Sequence, residues 1–217
     1  MAITRSAQFW NWFRQHENKY RDFDRCSDKE VEDLMHELDV HLKAYHHRLW
    51  ASVKTEKGDD RSTLILSANG RRFSFGYVDR LVAKVPLMEY WKVVALEEPR
   101  EADFMLKERF GDLAMDVRKL SFAAEQNEKG QQDIAVYTDP YDYGKAKRYN
   151  QAARRVVYNL LGERFFGLGI GYVWCRPLAE ERGTKGLRRI KELPGYMGRQ
   201  APMKLVVGPG GELMGRG

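Results

Sequence analysis

Leu120-Ser121-Phe122-Ala123-Ala124-Glu125-Gln126-Asn127-Glu128-Lys129-Gly130-Gln131-Gln132-Asp133-Ile134-Ala135-Val136-Tyr137 is the stretch on which the fold turns. Leu120, Phe122 and Ala124 alternate with smaller or polar residues, as one face of a strand requires. Ile134, Val136 and Tyr137 belong to a second strand, and Glu128-Lys129-Gly130 supplies the turn between them. Outward from this hairpin, Asp139-Pro140-Tyr141-Asp142-Tyr143-Gly144 is a turn-rich lead-in. A helix follows from about Lys145 to Leu161, burying Tyr149, Ala152, Ala153, Val156 and Leu160 and ending near Gly162. Ile170 to Cys175 closes the unit as a third strand. Residues 120–177 therefore read as ββαβ.

The same order occurs upstream in residues 49–100. Leu49 to Lys54 and Thr63 to Ala68 suit strands, joined by the turn cluster Glu56-Lys57-Gly58-Asp59-Asp60. Asn69-Gly70 breaks the second strand. Phe73 to Val85 reads as a helix through Tyr77, Val78, Leu81, Val82 and Val85, with Pro86 stopping it. Trp91 to Leu96 is the closing strand. Both hairpins carry Glu-Lys-Gly, and the units end on Pro99-Arg100 and Arg176-Pro177.

Two amphipathic helices precede the pair. From Ser6 to Phe23, the residues Phe9, Phe13, His16, Tyr20 and Phe23 form one stripe with Trp12 on its edge, while Trp10 lies about 100° away and should face a different neighbour. Ser27-x-x-Glu30 is a capping box, in which the serine oxygen accepts from an orphan N–H and the glutamate reaches back. The helix it opens runs to about Arg48 and buries Val31, Leu34, Leu38, Leu42 and Tyr45.

The fold class expected is α+β: an N-terminal helical hairpin (1–48), a first ββαβ unit (49–100), an irregular connector (101–119), a second ββαβ unit (120–177) and an irregular C-terminal wrap and tail (178–217), together one compact domain. The two pseudo-repeated units predict a mixed, mainly antiparallel sheet of about six strands with helices on one face. Whether they share one sheet or build two is left open. The tail is rich in Gly and Pro, with one short strand expected at Lys204 to Val207 and a frayed end.

Several segments, taken as a set, resemble a family of bacterial proteins without an assigned activity. They are Phe9-Trp10-Asn11-Trp12-Phe13, Leu66-Ser67-Ala68-Asn69-Gly70, Trp91-Lys92-Val93-Val94-Ala95-Leu96 ahead of Pro99-Arg100, Asp133-Ile134-Ala135-Val136-Tyr137, Leu160-Leu161-Gly162-Glu163 and Lys191-Glu192-Leu193-Pro194. The similarity spans residues 7 to 197. It implies a shared fold and carries no site residues.

Composition excludes several classes. The chain has 217 residues, two cysteines and 43% hydrophobic content without a long apolar run. A soluble cytoplasmic protein without a membrane segment or signal peptide is expected. Cys26 and Cys175 lack the spacing of a zinc or redox pair and read as reduced structural thiols. His36 and His41 stand five apart, about 140° around a helix, so they cannot share one ion there. Glu37 and His41 read as a helix-surface pair, and His16 as a hydrogen-bonded core histidine. No serine sits in a nucleophile elbow. Gly144-Lys145 lacks the rest of a phosphate loop, and Gly167-x-Gly169-x-Gly171 precedes a strand instead of opening a helix. Adjacent carboxylates such as Asp59-Asp60, Glu97-Glu98 and Glu180-Glu181 would point to opposite faces of a strand and read as solvated charge. No catalytic residue, metal site or cofactor is expected.

Charge carries the strongest functional signal. The net charge is +6, and its excess lies in the last third of the chain. Lys147, Arg148, Arg154, Arg155, Arg188 and Arg189 are the candidate anion-binding or nucleic-acid-binding residues, interleaved with Tyr149 and Tyr158. Basic groups gain affinity for phosphodiesters by releasing counterions, and aromatic rings can stack on bases. Arg182 and Lys185 belong to the same basic run.

Two functions follow. The first is a non-catalytic interaction or adaptor module presenting aromatic and basic surface to another protein. The second is a nucleic-acid-binding module using Lys145 to Lys191. An enzyme whose site is assembled from dispersed residues is a third class that one sequence leaves open.

Overall fold

The computed structural model describes residues 3–21, 23–55, 61–107, 113–181, 186–200, 205–207 and 213–215. It is an α+β protein with mixed, mainly antiparallel sheets, and it divides between Glu97 and Glu98 into two compact units. The open question of one sheet or two is answered by the strand pairing: each unit has its own.

In the first unit, α1 (Arg5–His16) starts where the Thr4 hydroxyl accepts from the Ala7 N–H. The expected helix to Phe23 stops short at His16 and tightens into a 3-10 turn, Glu17–Tyr20. Such tightening is common at helix ends, where carbonyls lack the next turn's donors. Tyr20 nevertheless stays fully buried, its hydroxyl donating to the Leu34 carbonyl at 3.2 Å. Helix α2 (Asp28–Tyr45) opens on the capping box of Ser27 and Glu30, and α1 packs against it.

Strands β1 (Trp50–Lys54) and β2 (Ser62–Ser67) are antiparallel, with Trp50 opposite Ser67. Helix α3 (Phe75–Val82) follows, and β3 (Trp91–Ala95) then lies parallel to β2, with Ser62 beside Trp91. The Glu56–Asp60 turn lies outside the described residues. The core holds Phe9, Phe13, Leu38, Leu42, Leu64, Leu66, Phe75, Val78 and Leu81, all buried. Trp10, off the stripe, donates its indole N–H to the Leu81 carbonyl at 2.9 Å. It thus adds a side-chain donor to a carbonyl in the last turn of α3 that also accepts from the Lys84 N–H at 3.1 Å.

The second unit opens with a small hairpin, β4 (Met105–Lys107) and β5 (Ala114–Asp116). The sequence suggested an irregular connector, because three-residue strands offer too few positions for alternation to register. Strands β6 (Ser121–Gln126) and β7 (Gln132–Thr138) pair antiparallel, with Ser121 opposite Tyr137.

Helix α4 (Ala146–Gly169) comes next, and β8 (Ile170–Pro177) runs parallel to β7. Gly162 breaks α4 at φ 73°, ψ 162°, but a second helical segment continues to Gly169 where an end was expected. The two-residue β9 (Arg188–Arg189) pairs with β6, giving the order β8-β7-β6-β9. Helix α5 (Leu193–Gln200) replaces the irregular wrap expected there. Pro194 sits in its first turn, where a missing N–H costs nothing, so proline did not exclude a helix.

The core of this unit joins Phe122, Ile134 and Val136 from the sheet to Tyr149, Ala153, Val156 and Leu160 of α4. Strands β10 (Leu205–Val207) and β11 (Leu213–Gly215) form a separate two-stranded sheet. Most of the tail expected to fray lies outside the described residues. Among the described residues no helix is long and apolar enough to cross a membrane.

Candidate nucleic-acid interface

The site is built from the lead-in to α4 and from that helix's outer face. The Asp142 carboxylate accepts from the Gly144 N–H at 2.8 Å, and the Asp142 carbonyl accepts from the Lys145 N–H at 3.0 Å. Asp142 thereby shapes the 3-10 turn Tyr143–Lys145 that feeds α4. Tyr141 stacks on Tyr149, with ring centres 4.6 Å apart, and the Tyr149 hydroxyl donates to the Pro140 carbonyl. The start of the helix is therefore tied to the core through its own aromatic residues.

From that anchored start, helical periodicity sorts the side chains. Tyr149, Ala152, Ala153, Val156, Val157, Leu160 and Leu161 are buried, whereas Lys147, Arg148, Gln151, Arg154 and Arg155 are exposed. These last five fall at spacings of three and four and share one face. Lys147 and Arg155 are eight residues apart, about 12 Å along the axis. One nucleic-acid strand advances about 3.4 Å per phosphate, so this length matches three to four phosphates.

The sole acid in α4 is Glu163, which is fully buried. No acid occupies the first turn. A helix N-terminus carries partial positive charge and favours acids nearby, so Lys147 and Arg148 sit where the dipole opposes them. Solubility alone would be served as well by acids in that turn.

The six sequence-derived candidates separate. Lys147, Arg148, Arg154 and Arg155 come together on α4. Arg188 and Arg189 lie on β9, at the sheet edge opposite β8, the strand along which α4 packs. Arg188 also faces Glu192 at 3.9 Å and the Tyr196 ring at 5.3 Å, while Glu192 accepts from the Arg189 N–H. Arg182 and Lys185 lie outside the described residues. Of the interleaved tyrosines, Tyr149 is buried, and Tyr158 is half-buried with its ring edge-on to Phe166.

Exposed aromatic surface instead comes from Tyr143, at 68%, and Tyr172, at 72%. Tyr143 donates its hydroxyl to Glu180 at 2.8 Å, which raises its pKa. Its place in the turn-rich lead-in, ahead of the core stripe, was the one available sequence signal.

Other chemistry finds less support. Among the described residues no group of three or more His, Cys, Asp or Glu side chains could hold a metal ion. Glu37 and His41 do not form the surface pair expected of them. Glu37 approaches Lys19 at 3.8 Å, and the His41 ring stacks on Trp12 with centres 3.9 Å apart. Aromatic stacking at the α1–α2 contact outweighs a weak i,i+4 pair on one helix. His16 is hydrogen-bonded, its Nδ1 lying 2.8 Å from the Trp12 carbonyl, and it is half-buried. Burial pushes the Cys175 thiol up to about 12, so it carries little thiolate at neutral pH.

No family model, no curated protein and no solved structure matches this chain.

Proposed function

We propose that this chain is a binding module for nucleic acid, gripping the phosphate backbone through Lys147, Arg148, Arg154 and Arg155 on the outer face of α4. The observation that carries this reading is the absence of any exposed acid from a helix face holding four cations over two turns. Four cations spaced along about 12 Å of one helix face, with no acid of that helix among them, are the arrangement that counterion release rewards. A protein partner with an acidic surface is the second reading. It would meet the same cations without releasing a condensed counterion layer.

The test is binding of mixed-sequence oligonucleotides by fluorescence anisotropy across a salt series. Four phosphate contacts predict a log–log slope of about −3 for single strands. Arg154→Glu with Arg155→Glu should weaken binding at least tenfold and flatten that slope. Binding that ignores salt, or a variant that binds like the parent, overturns the reading.

The same proposal includes an architecture finer than the fold class. We read α1 and α2 as a helical hairpin and residues 49–100 and 120–177 as two copies of one ββαβ module. In support, each segment pairs its first two strands antiparallel and its last two parallel, with a helix before the last strand.

A further inference from the structure

The turn between β2 and α3 in the first unit presents arginine and aromatic surface that the α4 reading does not use. Just after β2, Asn69 and Gly70 both take positive φ, 54° and 74°. Two consecutive residues with φ above zero reverse the chain tightly. The Asn69 N–H donates to the Ser67 hydroxyl at 2.9 Å, and the Arg71 N–H donates across the turn to the Ala68 carbonyl at 3.1 Å. The Ser74 N–H then donates to the Arg71 carbonyl at 2.8 Å. Arg71, Arg72 and Phe73 are therefore held in place before α3 begins.

Each arginine lies over an aromatic ring. The Arg71 guanidinium is 4.8 Å from the centre of the Trp50 ring, and Trp50 is brought there by its pairing with Ser67, the last residue of β2. The Arg72 guanidinium is 4.8 Å from the centre of the Phe73 ring. Such contacts draw on the ring quadrupole and pair no N–H with an oxygen acceptor. Among the described residues neither guanidinium pairs with a carboxylate. Arg71 and Arg72 are the only charged residues from 68 to 78, and the first turn of α3 carries no acid. The acid that follows β3, Glu97, is bridged to Lys54 at 3.4 Å. Phe75 is fully buried, whereas Phe73 is 68% exposed, so a large apolar ring stands in water beside two cations.

We propose that this turn is a second nucleic-acid contact, one that reads unpaired bases: Phe73 stacks a base while Arg71 and Arg72 hold the adjoining phosphate. Guanidinium N–H groups match phosphate oxygens in geometry and charge. Every base has a flat π-face, so a ring can stack any of them, but only where the base is not already stacked inside a duplex. With Arg72 on one side of the Phe73 ring, a base occupies the other. An acidic protein partner would satisfy the arginines and give the aromatic ring no role that another apolar side chain could not fill. The proposal goes beyond the α4 reading and rests on it only in taking nucleic acid as the ligand. It adds single-stranded or looped substrates to a helix face that senses phosphate alone.

The test compares two single strands of equal length on the full-length chain by fluorescence anisotropy: a mixed-sequence oligonucleotide and its abasic counterpart, which keeps every phosphate and lacks the bases. The base-bearing strand should bind at least about tenfold tighter. Phe73→Ala should erase that difference while leaving abasic binding and its salt slope unchanged, and Phe73→Trp should keep it. Arg71→Gln with Arg72→Gln should weaken both strands and flatten the slope. In Phe73→Trp the added indole emission should be quenched by the base-bearing strand and not by the abasic one, a readout that holds even if the alanine variant folds poorly. Equal affinity of the parent for the two strands, Phe73→Ala behaving like the parent, or absent quenching overturns the proposal. Phe73→Leu binding like the parent also overturns it, and assigns the surface to an apolar protein contact. The doubly reversed α4 variant should weaken both strands by the same factor and keep their ratio. If that variant binds like the parent while Phe73→Ala loses the base preference, the α4 reading falls and this one stands.

Discussion

The Arg154 guanidinium sits 4.6 Å from the centre of the Phe166 ring, twelve residues further along the same helix. A straight helix would put those positions about 18 Å apart along the axis, beyond any arginine's reach. The break at Gly162 brings them together. One member of the basic face is therefore braced by the helical segment beyond the break. Arg154→Glu should cost about 0.5–1 kcal/mol of stability, the worth of an exposed cation–π contact. Arg155→Glu should cost less than about 0.5 kcal/mol. Urea unfolding measures both. A loss above about 2 kcal/mol for either would place it in a buried network and remove it from the outer face.

Gly162 itself makes a sharper prediction. At φ 73° and ψ 162° it occupies backbone territory that is essentially restricted to glycine. Gly162→Ala should destabilise the protein by about 1–3 kcal/mol. It should also release Arg154 from Phe166, so Arg154→Glu becomes nearly neutral in that background. An unchanged unfolding midpoint in the single variant would show that the backbone there adopts another conformation in solution.

How much of this could be seen beforehand depends on segment length. The strands of both ββαβ segments were legible because five or more residues give a period of two room to register. The hairpin of β4 and β5 was not, with three residues in each strand. Helix α5 was hidden by its glycines and by Pro194, whose harmlessness depends on a first-turn position that composition does not reveal. On the basic face, Lys147, Arg148, Arg154 and Arg155 followed from spacing alone, since helical geometry collects such residues. Arg188 and Arg189 were grouped with them by sequence proximity, but the sheet order sends β9 to the far edge. The contact of the His46 ring with Tyr77, centres 3.9 Å apart, was illegible, because it depends on α3 meeting the end of α2.

The capping box links stability to pH. Hydrogen bonds from the Ser27 hydroxyl and backbone N–H, both at 2.7 Å, hold the Glu30 carboxyl below its ordinary 4.5. A carboxylate with a lowered folded pKa contributes stability that is complete above the unfolded value. That contribution fades as pH falls through the folded value. Ser27→Ala should therefore cost about 1 kcal/mol near neutral pH. The gap between variant and parent should narrow once pH drops below 4.5. Chemical denaturation at several pH values checks this, and a gap that widens in acid would contradict it.

The last prediction concerns a glycine that looked like part of a nucleotide motif. A Cβ on Gly171 would fall on the Asp133 carboxylate and the Asn127 amide. Asp133 accepts there from the Asn127 side chain at 2.9 Å and from the Tyr172 N–H at 2.8 Å. Asn127 in turn accepts from the Lys129 and Gln131 N–H groups, fixing the Glu128-Lys129-Gly130 turn. Gly171 is thus empty space reserved for a polar knot between that turn and β8. Gly171→Ala should displace the knot and cost about 1–3 kcal/mol, the penalty for leaving such groups unpaired. Asp133→Ala removes the carboxylate that the methyl group would strike. The double variant should then be more stable than the two single losses added together, with a coupling of at least about 0.5 kcal/mol. Strict additivity would mean that Gly171 is needed for some reason other than room for Asp133.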